Sequence, residues 1–296
     1  MSGKLDLYKV FIKVADHGSI SHAAGELYMS QSAVSQAIMQ MERELETRLF
    51  NRTARGVTLT TEGALIYDYA HSALNLIKTG EQKLLEFKNV IAGELKIGVG
   101  DTISKYFLLP YLEEFHAQYP NIKFKIVNGT TLEICSLLKS GTVDVGICNF
   151  PLRDPALEQI PCLEVQDIFV CGDRYRSLYA GRVTPKEIVQ HPLILLERNS
   201  NSRQYVEEYL LSQGVVVSPE FELGSHDLLL EFAKINLGIA CVTKQFSTEY
   251  LEKRLVYEIP VQPEIPKRSI GVCYLKSVSL SPASAKFVDQ LVKQDR

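Results

Sequence analysis

The sequence predicts an α/β protein in two unequal parts, an all-α N-terminal module and a larger half of alternating strands and helices. Three observations carry that reading. Apolar residues recur at helical spacing from Leu5 to about Ile91, interrupted only by turns and one short β-like stretch. After Gly93 the texture switches to β-like runs separated by helix-like ones, the pattern of βαβ units around a parallel sheet. The composition is that of an ordinary globular chain, 46% hydrophobic and 23% charged over 296 residues, long enough to bury more than one core.

Within the N-terminal module, Leu5, Tyr8, Ile12 and Ala15 mark a first helix across residues 4–16. SHAAGELY (21–28) is a second, short one, whose Ala23–Ala24 pair permits close helix contact. Ser30 is placed to cap a third. Winding SQSAVSQAIMQMER (30–43) at about 100° per residue sorts it into two flanks. Val34, Ile38, Met41 and, just beyond, Leu45 share an arc that must face a core. Ser32, Ser35, Gln36, Met39, Gln40 and Arg43 face away. LFNRTARGVTLT (49–60) follows, with Arg52, Arg55 and Gly56, a β-like end and no acidic residue. From Thr60 a helical pattern without Pro runs to about Ile91. Ile66, Tyr69, Ala73, Leu76, Gly80 and Phe87 roughly keep a 3.5-residue repeat, broken by Lys83, as a pairing helix would. Thr60 or Thr61 caps that helix, and Glu62 suits its positive end.

Other classes lose ground on composition. The net charge is −3, so any affinity for nucleic acid must come from a local patch. The N-terminus is amphipathic and lacks the apolar core of a signal peptide, and no run approaches the ~18 apolar residues of a membrane span. A cytoplasmic protein with no membrane partner is expected. The six cysteines are scattered, without a CxxC pair or a neighbouring His at ligand spacing, and read as buried reduced thiols. No metal or cofactor is expected.

The outward flank of residues 30–43 is rich in uncharged hydrogen-bonders where a solvated helix would carry Lys and Glu. A short helix, a tight turn and a second helix with such a face is the helix-turn-helix plan. Gln reads adenine, Ser bonds bases or phosphate, Met39 suits a thymine methyl, and Arg43 suits guanine or phosphate. The acid-free 47–61 segment then forms a basic wing, with Arg48, Arg52 and Arg55 near the backbone. A plain amphipathic helix explains the spacing equally well. The order helix, turn, helix, basic hairpin, pairing helix favours DNA.

SISHAAGELYMSQSAVSQAIMQMERELETRLFNRTARGVTLTTEG resembles the winged helix-turn-helix of LysR-type transcriptional regulators, through Ser19, Ala23, Ala24, Leu27, Gln31, Ser32, Ala33, Val34, Ser35, Ile38, Glu42, Leu45, Leu49, Phe50, Arg52, Thr60 and Gly63. The resemblance extends over the whole chain. It implies a winged helix-turn-helix at 1–61, a linker and dimerisation helix with its hinge at 62–92, and an effector-binding domain at 93–296. That domain is expected to be a periplasmic-binding-protein-like α/β fold of two subdomains, about 93–163 with 268–296, and about 164–267. The implied DNA contacts are Ser30, Gln31, Ser32, Ser35, Gln36, Met39, Gln40, Arg43, Arg52 and Arg55. Implied partners are double-stranded DNA with a near-palindromic operator, a small-molecule effector, further copies of the chain as homodimer or homotetramer, and RNA polymerase. Two positions depart from the family pattern: Thr47, usually Gly, and Thr243, often Pro.

Parallel sheets take ligands beyond the carboxyl ends of their strands, where helix N-termini offer free N–H groups. Those positions here are hydroxylic: Thr102 and Ser104, Thr130 and Thr131, Ser200, Asn201 and Ser202, and Ser225, with Asn149 ending a strand. Each alone is economically a helix cap; their recurrence points to a ligand, and Thr102, Ser104, Thr131 and Ser202 best match the family's effector loops. His226, the one histidine in these loops, reads as a first-turn helix residue. Lys105 and Arg203 stand beside the loops and either suit an anionic effector or are simply exposed. Two other classes compete. An enzyme or solute scavenger would need a GxSxG, Walker, GxGxxG or metal motif, or a signal peptide, and none is present. A protein-interaction module would respond weakly to salt, whereas DNA binding weakens steeply.

Overall fold

The computed structural model describes residues 2–53, 56–88 and 93–293. Two compact units divide the chain near residue 85. The first begins with helices α1 (Ser2–His17), α2 (Ile20–Glu26) and α3 (Gln31–Glu44). A hairpin of β1 (Phe50–Thr53) and β2 (Gly56–Leu59) and the helix α4 (Thr61–Lys88) complete it. Its core gathers Phe11, Val14, Ala23, Ala24, Val34, Ile38, Met41 and Leu49. The Ala23–Ala24 pair is buried in that core, as its small size predicts.

Local chemistry sets the two turns that matter. Ser30 caps α3, its hydroxyl accepting from the Ala33 N–H at 3.1 Å. Beyond the C-cap of α2, Tyr28 adopts φ +54°, and beyond that of α3, Glu46 does the same. At α3 the Glu46 N–H reaches the Arg43 carbonyl and the Thr47 N–H reaches that of Glu42, the paired bonds of a Schellman end. The left-handed position thus falls on Glu46, so Thr47 needs no glycine-like backbone. The hairpin returns to the turn between α1 and α2, where the Val57 N–H donates to the Gly18 carbonyl at 2.9 Å. Gly56, at φ +134°, permits that approach, since a Cβ there would lie 2.3 Å from the Gly18 oxygen.

The second unit runs β3 (Gly93–Val99), α5 (Asp101–Ile103), a π-helical turn (Ser104–Leu108), α6 (Leu109–Gln118), β4 (Ile122–Asn128), α7 (Thr131–Lys139), β5 (Val145–Asn149) and β6 (Leu157–Val165). It continues through β7 (Asp167–Cys171), α8 (Arg176–Tyr179), α9 (Pro185–Ile188), β8 (Leu193–Leu196), α10 (Asn201–Ser212), β9 (Phe221–Leu223), α11 (His226–Lys234) and β10 (Ile239–Thr243). The elements α12 (Thr248–Glu252), β11 (Tyr257–Ile259), β12 (Arg268–Leu275) and α13 (Pro282–Lys293) close it.

The strands make two five-stranded sheets, β4-β3-β5-β12-β6 and β11-β7-β10-β8-β9. The expected parallel pairing holds for β3, β4 and β5 and for β8, β9 and β10. The rest is antiparallel: β12 to β5 and β6, and β7 to β10 and β11. The reason is that the chain crosses between the sheets at Gln166 and returns at Arg268, so the crossing strands run against their neighbours. Strand β6 is not legible in the sequence, because Pro161 interrupts it. It is an edge strand, where a missing N–H is tolerated, and the register against β12 shifts at Ile270/Gly271, opposite Pro161.

Candidate functional site

Two surfaces collect the polar residues singled out above. The first is the outer flank of α3. Val34, Ile38 and Met41 are buried, while Gln31, Ser32, Gln36, Met39, Gln40 and Arg43 are exposed and Ser35 is half-buried. Ser30 is committed to the cap and also bonds the Ser32 hydroxyl at 2.9 Å. Gln40 donates to Glu44 at 3.0 Å and Arg43 Nε to the Met39 carbonyl at 3.3 Å, leaving the rest of the guanidinium outward. Arg48 and Arg52 are exposed as well; Arg55 lies outside the described residues.

The roles of two residues here are not legible in the sequence. Glu42 is half-buried and its Oε1 accepts the N–H groups of Leu49 (2.8 Å) and Phe50 (3.3 Å), tying α3 to the start of the hairpin. Tyr28, in the turn that leads into α3, is 98% exposed. On α4 the free apolar stripe also differs from the expected one. Ile66 packs into the domain core, Leu76 is half-buried, and the exposed large residues are Leu65, Tyr69, Ile77 and Leu84. Tyr69, Ala73 and Gly80 are exposed as a pairing face requires; the Phe87 and Lys83 side chains lie outside the described residues. Spacings of four, eight and seven residues hold this stripe on one helix face.

The second surface is a cavity of about 260 Å³ between the two five-stranded sheets. Thr102, Thr130, Thr131, Asn149, Ser200, Asn201 and Ser202 line it, together with His226 and Thr243. Ser104 and Ser225 do not: Ser104 lies one step past the buried Ile103 on the π turn, and Ser225 sits outside the lining as N-cap of α11. Thr130 is spent internally. Its N–H and hydroxyl donate to Glu133 at 2.7 and 2.9 Å, which holds that carboxyl below its ordinary range. Among the described residues the hydroxyls of Thr102, Thr131 and Ser200, all in the lining, have no hydrogen-bond partner.

The charged neighbours are also committed. Lys105 Nζ meets Asp227 Oδ2 at 2.6 Å and the Tyr106 hydroxyl donates to Asp227 Oδ1 at 2.5 Å, a clasp between the π turn of one sheet's subdomain and α11 of the other. Arg203 is buried, bonding Glu207 at 2.6 Å and the Leu196 carbonyl at 3.1 Å. Neither lines the cavity, so neither supports an anionic effector directly.

Beneath the cavity lies a network that the sequence does not reveal. Arg268, at the returning crossover, forks onto Asp167, at the outgoing one, through Nε–Oδ2 (2.6 Å) and Nη2–Oδ1 (2.8 Å). The same guanidinium donates to Asn149 Oδ1, Ser202 Oγ (3.1 Å) and Thr243 Oγ1 (3.2 Å). The Thr243 N–H donates to His226 Nε2 at 3.2 Å. A proline at 243 would have no such N–H, so the departure noted at this position creates the contact. Burial pushes the His226 pKa down to about 4, and the ring stays neutral.

The comparisons with known proteins fit both surfaces. Residues 5–64 match the bacterial regulatory helix-turn-helix of the lysR family, and residues 88–296 match the LysR substrate binding domain. The chain belongs to the LysR family of transcriptional regulators. Among relatives of this LysR regulator, YeiE of Escherichia coli K12 is 27% identical over 95% of this chain and 94% of its own. CysL of Bacillus subtilis 168 is 24% identical over 93% and 87%. Among solved structures, that of the LysR regulator CbnR superposes with a TM-score of 0.65 at 18% identity, over 99% of both chains. A full-length OxyR variant from Pseudomonas aeruginosa does so at 0.67, with 18% identity, over 99% of this chain and 94% of its own. As a member of the family, this chain is a DNA-binding transcriptional regulator with an effector-binding domain.

Proposed function

We propose that the outer flank of α3 enters the major groove of a near-palindromic operator, with Gln31, Ser32, Ser35, Gln36, Met39, Gln40 and Arg43 at base edges and Arg48, Arg52, Arg55 and Tyr28 at phosphates. The observation that carries this is the division of α3 itself: Val34, Ile38 and Met41 are buried, while Gln31, Ser32, Gln36, Met39 and Gln40 are exposed on the other flank. CbnR, of the same fold, has been solved with its target DNA, which supports the assignment. The Leu65–Tyr69–Ile77–Leu84 stripe would pair two α4 helices and set two recognition helices about one DNA turn apart, ~34 Å. A homotetramer would join two such dimers through a further surface.

The effector is proposed to sit in the cavity lined by Thr102, Thr131, Asn149, Ser200 and Ser202 and to act by biasing the spacing of the two sheets' subdomains. The chain would then work in the cytoplasm, as a regulator rather than an enzyme; among the described residues no helix is long and apolar enough to cross a membrane. Gel-shift titrations on the operator test the reading. Gln36→Ala and Arg43→Ala should each weaken binding by about 1–3 kcal/mol, and affinity should fall steeply with salt. Unchanged footprints in both variants would remove α3 from the interface.

A further inference from the structure

We infer that buried Arg268 sets the hydrogen-bond polarity of the cavity floor, so that the effector is recognised through acceptor oxygens, as a compact carboxylate or inorganic oxyanion presents them. The inference rests on the reading of the cavity as the effector site. A guanidinium carries only donors, so every group it touches must turn an acceptor toward it. Asn149 gives Arg268 its Oδ1 and therefore keeps its Nδ2 for something else. Ser202 accepts from Arg268 with Oγ and keeps its proton. Neither donor finds an acceptor among the described residues, and both residues line the cavity. Thr243 contributes nothing, because its hydroxyl proton goes to Asp167 Oδ1 at 3.0 Å.

His226 adds no donor to the floor. The Thr243 N–H occupies His226 Nε2, so the neutral ring carries its proton on Nδ1. That N–H is buried and lies 3.9 Å from Asp227 Oδ1, a residue outside the cavity lining. The N-terminus of α10 adds first-turn N–H groups that the Ser200 side chain leaves uncapped. Side-chain donors and a helix N-terminus thus meet over a cation that is itself neutralised by Asp167. At the Asn149–Ser202 floor an ammonium ligand would meet the Asn149 Nδ2 and Ser202 donors rather than a carboxylate. Asp101, Glu133 and Glu197 also line the cavity and oppose a second negative group on the ligand.

Thermal-shift titration of the full chain with acetate, glycine, sulfate and ethylammonium, at matched ionic strength, tests this. At least one oxyanion should raise the melting temperature saturably, and Ser202→Ala and Asn149→Asp should each weaken that response about tenfold. Acetate or glycine against sulfate separates an organic from an inorganic source. Saturable stabilisation by ethylammonium alone, lost in Ser202→Ala, would overturn the polarity argument while leaving the cavity as the effector site. An oxyanion shift unchanged in both variants would place the binding elsewhere and overturn both. No saturable shift from any oxyanion would overturn the inference.

Discussion

The outer flank of α3 and the floor of the cavity are both built from serines and carboxamides, yet they hold those groups in opposite ways. On α3, Gln31, Gln36 and Gln40 stand in solvent on a rigid helix whose other flank anchors it. In the cavity, Asn149 and Ser202 are held by an ion pair buried beneath them. A face of the first kind is adaptable, since a carboxamide can present either end to a base. A floor of the second kind has its polarity decided before any ligand arrives. Function on α3 is therefore separable from stability, and in the cavity it is not.

Three experiments break or sharpen that contrast. The largest effect belongs to the buried pair. Arg268→Ala leaves Asp167 uncompensated and should cost about 3–5 kcal/mol of unfolding free energy, read by urea denaturation. Gln36→Ala, on the exposed face, should stay within about 0.5 kcal/mol. Equal losses would erase the distinction.

The next effect is pH-dependent. His226 has a folded pKa near 4 against an ordinary 6.5, so the unfolded chain binds the extra proton first. Its contribution is complete above pH 6.5 and is lost as the pH falls toward 4. The loss is of order 3 kcal/mol, from about 1.4 kcal/mol per pH unit. His226→Gln should flatten that part of the stability profile, and an unchanged slope would take His226 out of the network.

The smallest effect tests the end of α3. Glu46 holds φ +54° against a side chain's preference, so Glu46→Gly should stabilise the chain by about 1 kcal/mol in the same denaturation assay. Thr47→Gly should bring no gain, because the strained position is one residue earlier.

The same contrast explains what the sequence disclosed. The flanks of α3 follow from a periodicity within fourteen residues, so Val34, Ile38 and Met41 could be assigned inward without any structure. Most of the hydroxylic strand ends also reached the cavity, since a strand end followed by a helix start is a local pattern. Thr130 and Ser104 show its limit: the pattern cannot tell a cap spent on Glu133, or a residue one step round a turn, from a free hydroxyl. Arg268 and Asp167 are 101 residues apart, and neither flanking segment marks them as partners. Pairing at that separation is a property of the two crossovers, visible only once the sheets exist. On α4 the exposed Leu65 replaces the expected Ile66, because the helix spends Ile66 on its own domain.

The Lys105–Tyr106–Asp227 clasp lies at the surface, with Lys105 and Asp227 side chains 56% and 40% exposed. An exposed ion pair contributes at most about 1 kcal/mol, only a few-fold in population. The Tyr106 hydroxyl adds one hydrogen bond to the same carboxylate. The two together are weaker than the buried fork at the crossovers, so the lips of the cavity would part before that fork does. Ligand exchange would proceed by breathing about a stiff pivot, and occupancy rather than gate opening would set how fast the regulator responds.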